Sequence, residues 1–393
     1  MNTAVATDAL LEKGDAKKDV KSPEIIRVAR QYGASPLRQL REIFSLRSGR
    51  SRLTTRDYYD NGLYDPALSM TEKREFLGLA ASEALNDRLS PEETKRYGAF
   101  VCNKLLHGAL LRQLGFAATE TLAVVAKTGE YGALPALQDA DALFAFLSDR
   151  SVYPVFGKPV DGSLSVGSVM LSGLDSAGET LELASGDHRP LRAFCDEVLA
   201  KYGTGYLLQK ALRPHPDLVP VTGDMTGSVR IVTAMNTSTP SVAYGLWKIP
   251  APRAMSDNFW QGGSMIARVD MQTGEVLACR QGTGPDTIDV ENHPETGAAI
   301  VGLKLPGFED ACDLARRAHA LMPDLGVCGW DIGLTVDGPV IIECNNSPFH
   351  TLYQLAHRRG VMNPDLMPVW EATAARQKER LTFIRAARKK KKR

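Results

Sequence analysis

The chain has no paired cysteine motif, no long apolar run and little net charge, and each shortage removes a class of protein. Six cysteines (Cys102, Cys195, Cys279, Cys312, Cys328 and Cys344) are scattered over 393 residues without a C-x-x-C pair. That spacing argues against a disulfide framework or a zinc site, and for reduced thiols in the cytoplasm. The apolar runs, such as the one around Leu334–Ile342, are broken by glycine or polar residues. None approaches the roughly 18–20 residues of a membrane span. The opening segment mixes acids with lysines and has no apolar stretch, so no secretory signal is expected. There is no G-x-x-x-x-G-K-[ST] loop and no internal repeat of 20–50 residues.

A net charge of +1 makes the whole chain no polyanion binder. The charge is nevertheless uneven. Arg388–Arg393 are all cationic, which leaves the remainder at about −5. This tail reads either as a solvated terminus or as a contact for an anionic surface. Basic residues elsewhere are not clustered with aromatics, so no specific nucleic-acid partner is expected.

What is present is an ordinary soluble composition, 44% apolar and 24% charged, in a chain long enough for two or three lobes. Residues 1–24, rich in Ala, Lys and Asp, read as a disordered tail. Residues 25–96 read as helical: Ile26, Val28, Leu37, Leu40, Ile43 and Phe44 recur at helical spacing, interrupted near Gly33–Pro36. A Ser/Arg/Tyr/Asp-rich linker follows, then a helix over Ser69–Leu85 with Thr71 as its N-cap. After Tyr97 the texture changes. Helices are expected over Phe100–Leu114, Asp139–Leu147 and Phe308–Leu321. Between them β-type runs alternate with Gly- and Pro-rich turns, among them Tyr153–Gly157, Gly205–Gln209, Gly227–Met235 and Ser241–Trp247. Two further strands, Val327–Leu334 and Val340–Cys344, are joined across Asp337-Gly338, a strong hairpin signal. The expected division is a first lobe over 97–209, a second over 210–362, and a C-terminal helix with the basic tail over 363–393.

The most informative segment is Gly329–Pro348. A tight hairpin places its far strand ends side by side, so Asp331 can face Glu343, and Asn345 shares a strand face with Glu343 by the period of two. Two carboxylates and an amide oxygen at a strand end suit Mg²⁺, a hard cation that takes few protein ligands and completes its shell with phosphates and water. The alternative is a polar hairpin end with only turn and capping roles. Cys344, within this segment, reads as a small buried hydrophobe.

Asp, a hairpin and then Glu-x-Asn-x-x-Pro resembles the metal-binding hairpin of the ATP-grasp superfamily. The resemblance implies an α+β fold in which two lobes sandwich ATP, here behind a helical N-terminal extension. It implies Asp331, Glu343 and Asn345 as ligands of Mg²⁺, with Mn²⁺ as an alternative ion and Glu343 bridging two ions. A second segment agrees. Lys158-Pro159 ends a short strand and leads into Asp161, Gly162, Ser163, Ser165, Val166 and Gly167. A strand-end lysine can pair with phosphates, and a small-residue loop lets backbone N–H groups approach them. This resembles the Lys-Pro strand and phosphate-covering loop of ATP-grasp enzymes.

Gly205–Leu212 resembles the strand joining the lobes, whose backbone binds adenine, and brings in Gln209, Lys210 and Leu212. Many superfamily members have Glu where this chain has Gln209. Asp217 is a candidate for a ribose hydroxyl, and Lys104, opening a helix before a Gly-Phe turn, for a phosphate. Arg230 is a lone cation in an apolar strand and needs a partner. A structural salt bridge and a place beside the γ-phosphate are the two readings.

His215-Pro216, Ser228–Thr233, Gly262-Gly263, Asn292–Gly297 and Trp330–Gly333 narrow the resemblance to the sugar-transfer-associated ATP-grasp family, described also as α-L-glutamate ligase-related. It spans roughly residues 97–360. The implied function is an ATP-dependent ligase joining a small-molecule carboxylate to an amine or thiol through an acyl phosphate. Lys158 and Arg230 would act on the transferring phosphoryl group, and His293 and His350 are candidates for acid–base work at the acceptor. Trp260 and Asn258, just before Gly262, are weaker candidates, since aromatics near glycines usually serve packing. A small-molecule kinase and a nucleotide-binding regulator without turnover remain alternatives.

Overall fold

The computed structural model describes residues 23–95, 98–162 and 165–391, with side chains to residue 387. Most of the expected N-terminal tail, Ser163 and the side chains of the basic tail lie outside the described residues.

Fourteen strands build two sheets among the described residues. They are β1 (Thr121–Val125), β2 (Ala136–Leu137), β3 (Val155–Pro159), β4 (Val169–Leu174), β5 (Thr180–Leu183), β6 (His188–Pro190) and β7 (Tyr206–Lys210), followed by β8 (Ser228–Ala234), β9 (Ser241–Ile249), β10 (Met265–Val269), β11 (Val276–Gln281), β12 (Ile288–Asp289), β13 (Val327–Thr335) and β14 (Gly338–Asn345). The first sheet has the order β2-β1-β7-β3-β4-β5-β6 and the second β12-β11-β10-β9-β8-β13-β14. The architecture is the α+β one expected, with helices preceding the first strand.

Each sheet owns a core. Helices Ala140–Ser148 and Leu191–Tyr202 cover the first through Leu143, Leu147, Phe194 and Val198. The second helix was not anticipated, although Leu191, Phe194, Cys195, Val198 and Leu199 follow helical periodicity. Helix Phe308–Ala320 covers one face of the second sheet, packing on Trp330, Ile332 and Ile231. Alternation along the strands sends Arg230, Lys248 and Asp331 to the opposite face. Helices Leu79–Leu89, Thr351–His357 and Met367–Lys391 cover one end of that face, around Tyr244, Leu246, Tyr353 and Trp370.

The N-terminal helices differ in detail from expectation. Ser69, not Thr71, caps the helix there, because Ser69 and Glu72 form a reciprocal capping box. That helix ends at Lys73, and a separate one starts at Leu79. The expected Phe100–Leu114 helix is divided by Asn103, whose side chain caps Lys104–Gln113. A short helix, Thr55–Asp60, lies inside the expected linker.

The two sheets are joined where the chain enters and leaves the first. Before β1, Thr119 donates to the Ile341 carbonyl at 3.1 Å, and Ile341 donates to Ala117 at 2.9 Å. After β7, His215 donates to Leu334 at 3.0 Å and Val336 to Arg213 at 3.2 Å. Both connections therefore dock on the β13–β14 hairpin and set the first sheet against it.

Candidate functional site

The hairpin register pairs Asp331 with Glu343 and Gly329 with Asn345 across β13 and β14. On the other side of β13, Asp331 pairs with Arg230 of β8. Arg230 forks onto Asp331 with two N–H donors, one at 2.8 Å. Lys248 of β9 donates to the second oxygen of Asp331 at 3.1 Å and pairs with Asp257 at 3.0 Å. Ser228 donates its hydroxyl to the same Asp257 oxygen. All three of Arg230, Lys248 and Asp331 are buried. Burial alone would raise the Asp331 carboxyl, but Arg230 and Lys248 hold it well below the usual carboxylate range. For Lys248, the fields of Asp257 and Asp331 outweigh burial and raise its ammonium above the ordinary value.

Lys158 stands at the end of β3, paired in register with Leu207 of β7, and is only 5% exposed. Burial lowers its ammonium to about 8; Lys104 adds to the lowering, while Glu343, Asp257 and Asp331 oppose it. Lys104 donates to the Gly162 carbonyl at 2.8 Å, which ties its helix to the loop after Lys158. The far stem of that loop is pinned as Tyr206 donates to the Gly167 carbonyl at 2.9 Å. A side chain at Gly167 would come within 2.5 Å of Tyr202, and its φ is +78°. Ser165 and Val166 form the turn between, while Asp161 and Gly162 are exposed.

Gln209 is buried on β7 and donates to Thr119 at 3.2 Å and Thr121 at 3.3 Å. Lys210 is exposed, and its amide donates to Glu120 at 2.9 Å. The Leu212 carbonyl accepts from Thr226 at 3.1 Å. Asp217 is exposed and sits 3.6 Å from His215.

The histidines lie in closed surroundings. His293 is 3% exposed, and its Nδ1 accepts from the amides of Glu295 and Thr296, as a turn-capping residue does. His350 has no exposure at all, with Tyr244 2.8 Å from one ring nitrogen and Asn86 3.0 Å from the other. Burial and the nearby Arg230 charge lower it to about 3, so it is neutral. Both ring nitrogens of His350 are spent on internal hydrogen bonds, and Nδ1 of the buried His293 is spent on its own turn.

The donor set fits Mg²⁺ in part. Glu343 and Asn345 are half-buried at the strand end, and Glu343 has no ion-pair partner among the described residues. Asn345 uses its amide N–H₂ toward Gly329 at 3.5 Å, which leaves its oxygen available. Asp331 differs from the expectation of a free ligand: both its oxygens are held by Arg230 and Lys248. Among the described residues no group of three or more His, Cys, Asp or Glu is gathered for a metal. Lys248 and Asp257 were missed in the sequence. Lys248 carries the same signal as Arg230, a lone cation in an apolar strand.

No protein of curated function matches the chain in sequence. Among solved structures, the D-alanine–D-alanine ligase of Coxiella burnetii superposes with a TM-score of 0.45 at 13% identity, over 80% of this chain and 71% of that one. The ATP complex of the Bacillus anthracis D-alanine–D-alanine ligase gives 0.39 at 12% identity, over 74% and 71%. The ATP-grasp ligase PsnB with its minimal precursor gives 0.35 at 15% identity, over 72% of this chain and 62% of PsnB. The family model described as sugar-transfer associated ATP-grasp matches residues 85–366, well over half of the chain, and the chain belongs to that family.

Proposed function

We propose that this chain binds ATP with Mg²⁺ between its two sheets and works as a ligase, joining a small-molecule carboxylate to an amine or a thiol. The observation that carries the reading is the buried network on β8, β9 and β13 in which Arg230 and Lys248 hold Asp331 opposite Glu343, with Lys158 buried at the end of its strand in the first sheet. Arg230 and Lys248 are matched there by Asp331 and Asp257, so this network is close to neutral before a polyphosphate and its metal arrive. Membership of the ATP-grasp family supports ATP as the nucleotide, and the family's description supports an acceptor connected with sugar or polysaccharide metabolism.

In the proposed reaction a carboxylate oxygen of the substrate attacks the γ-phosphorus and ADP leaves, giving an acyl phosphate. The amine then attacks the acyl carbon, phosphate departs with the bonding electrons, and the amine proton passes to that phosphate. Lys158 and Lys104 hold phosphate oxygens, and the Asp161–Ser168 loop covers them. Arg230 stabilises the transferring charge and keeps Asp331 in place. The backbone of Gln209–Leu212 takes the adenine, with Asp217 at the ribose. Glu343 and Asn345 would hold Mg²⁺, with Asp331 joining them where Arg230 and Lys248 release an oxygen; the ion supplies neutralisation of the phosphate charge.

The test is release of phosphate from ATP across arrays of carboxylic acids and amines. Release that needs both an acid and an amine supports the ligase. A phosphorylated product that accumulates irrespective of amine would make the chain a kinase. Intact ATP with every acceptor, despite tight binding, would make it a regulator.

A further inference from the structure

The residues before position 85 lie outside the family match, and they carry a feature that the nucleotide site does not use. Arg47, Arg50, Arg52 and Arg56 fall within one short stretch. Three of them, Arg47, Arg52 and Arg56, line a depression of about 670 Å³ with Gly49, Thr54 and Thr55, and no carboxylate lines it.

The neighbouring acids are already engaged. Asp57 accepts from the Thr54 amide at 2.8 Å and the Thr54 hydroxyl at 2.7 Å. Asp60 pairs with Arg56 at 3.1 Å. Glu42, beneath, is buried and held by Lys73 at 2.8 Å and Arg38 at 2.9 Å. Arg47 and Arg52 have no carboxylate partner among the described residues. Positive charge therefore remains in a concave surface, where fields concentrate.

The loop that presents these side chains is fixed. Leu53 donates to the Leu46 carbonyl at 3.2 Å, and Gly78 donates to the Ser51 carbonyl at 2.9 Å. The Ser51 hydroxyl donates to the Arg74 carbonyl at 3.1 Å. Leu53 and Ser51 are buried between the exposed arginines. The packing is close enough that a side chain at Gly78 would come within 2.5 Å of the Arg52 carbonyl. Guanidinium groups on an anchored backbone lose less freedom when a ligand arrives.

We propose that this depression binds a phosphate-bearing small molecule, gripped by Arg47 and Arg52 with Arg56 at its rim. Guanidinium forks match phosphate oxygens in pairs, and three positive groups exceed what a single carboxylate neutralises. The volume falls within the roughly 300–1,000 Å³ of small-molecule sites, so the ligand carries an organic part besides its phosphate. Single-stranded nucleic acid fits less well, because it needs stacking aromatics. Tyr58 and Tyr59 are buried in the helical core, and the exposed Phe44, three residues before Arg47, does not line the depression. The site is independent of the ligase reading.

The experiment is calorimetric titration of the full chain with inorganic pyrophosphate, in the presence of a saturating non-hydrolysable ATP analogue with Mg²⁺. Wild type is compared with Arg47→Gln/Arg52→Gln, whose surface positions leave the fold intact. Saturable binding, weakened at least about tenfold in the double variant and by added salt, is expected. Binding of the ATP analogue, measured separately, stays unchanged in that variant. Failure of wild type to bind by ~10 mM pyrophosphate, or equal binding by the double variant, overturns the assignment. So does tighter binding of duplex RNA or of phosphatidylserine vesicles, which would make the surface a polyanion contact.

Discussion

Replacing Arg230 with Met tests how the buried cluster is held together. The substitution keeps much of the side-chain volume but leaves Asp331 buried with Lys248, which is shared with Asp257. Breaking a buried ion pair by removing one partner costs about 3–5 kcal/mol. Because Lys248 remains, the expected loss is at the low end, about 3 kcal/mol, or a fall in Tm of about 4 °C for a chain of this length. The pH dependence has a definite sign. In wild type the Asp331 carboxyl is held below its unfolded value, so its stabilisation is present above the unfolded pKa and is lost as pH falls through the folded one. In Arg230→Met, burial lifts the same carboxyl, so the deficit relative to wild type grows between about pH 4 and pH 7. Urea and thermal unfolding at several pH values read this out, with Asp331→Asn and the double variant completing a cycle. The double variant is expected to recover part of the loss. A deficit below ~1 kcal/mol, or strict additivity of the two substitutions, would refute a buried, interdependent pair.

Two other consequences follow from the same geometry. With its ammonium lowered to about 8, Lys158 is charged below that pH and increasingly neutral above it. Affinity for a nucleotide that needs the charge is therefore flat below about pH 8 and falls toward tenfold per unit above it, with proton uptake on binding. Calorimetry in buffers of different ionisation enthalpy checks both, and flat affinity from pH 7 to 9.5 would remove Lys158 from the phosphate site. Gly167→Ala forces a side chain into Tyr202 at a φ of +78°. A loss of about 1–3 kcal/mol and weaker nucleotide binding are expected; a variant with wild-type Tm would mean that the loop stem yields.

Much of the second sheet was legible because its signals are local. Asp337-Gly338 marks the turn, and simple pairing back from it reaches Ile332 opposite Ile341; a register shift between Asp331 and Ile332 then brings Asp331 opposite Glu343 rather than Ile342, and that shift has no local sequence signal. The salt-bridge alternative for Arg230 was also legible, since a cation in an apolar strand demands a partner; which carboxylate answers it depends on the β8–β13 register across about a hundred residues. Lys248 sends the same signal at the end of β9, but the strand reading stopped at Trp247 and passed it by. Helix Leu191–Tyr202 was hidden differently. It sits among short strands and turns, and the surrounding β texture masked a clean helical period that Gly203 ends. The closed setting of His350 was beyond local pattern, because it depends on Asn86 and Tyr244, each far away in the chain. Nor does any local period reveal that β7 lies between β1 and β3.

The decisive titration adds a non-hydrolysable ATP analogue to wild type and to Glu343→Ala, each with and without Mg²⁺, while circular dichroism verifies the folds. Wild type is predicted to bind only with Mg²⁺ present, and Glu343→Ala to lose at least about tenfold in affinity. A folded wild type that fails to bind, or a Glu343→Ala variant that binds as tightly with the same Mg²⁺ requirement, would contradict a nucleotide site built on this hairpin.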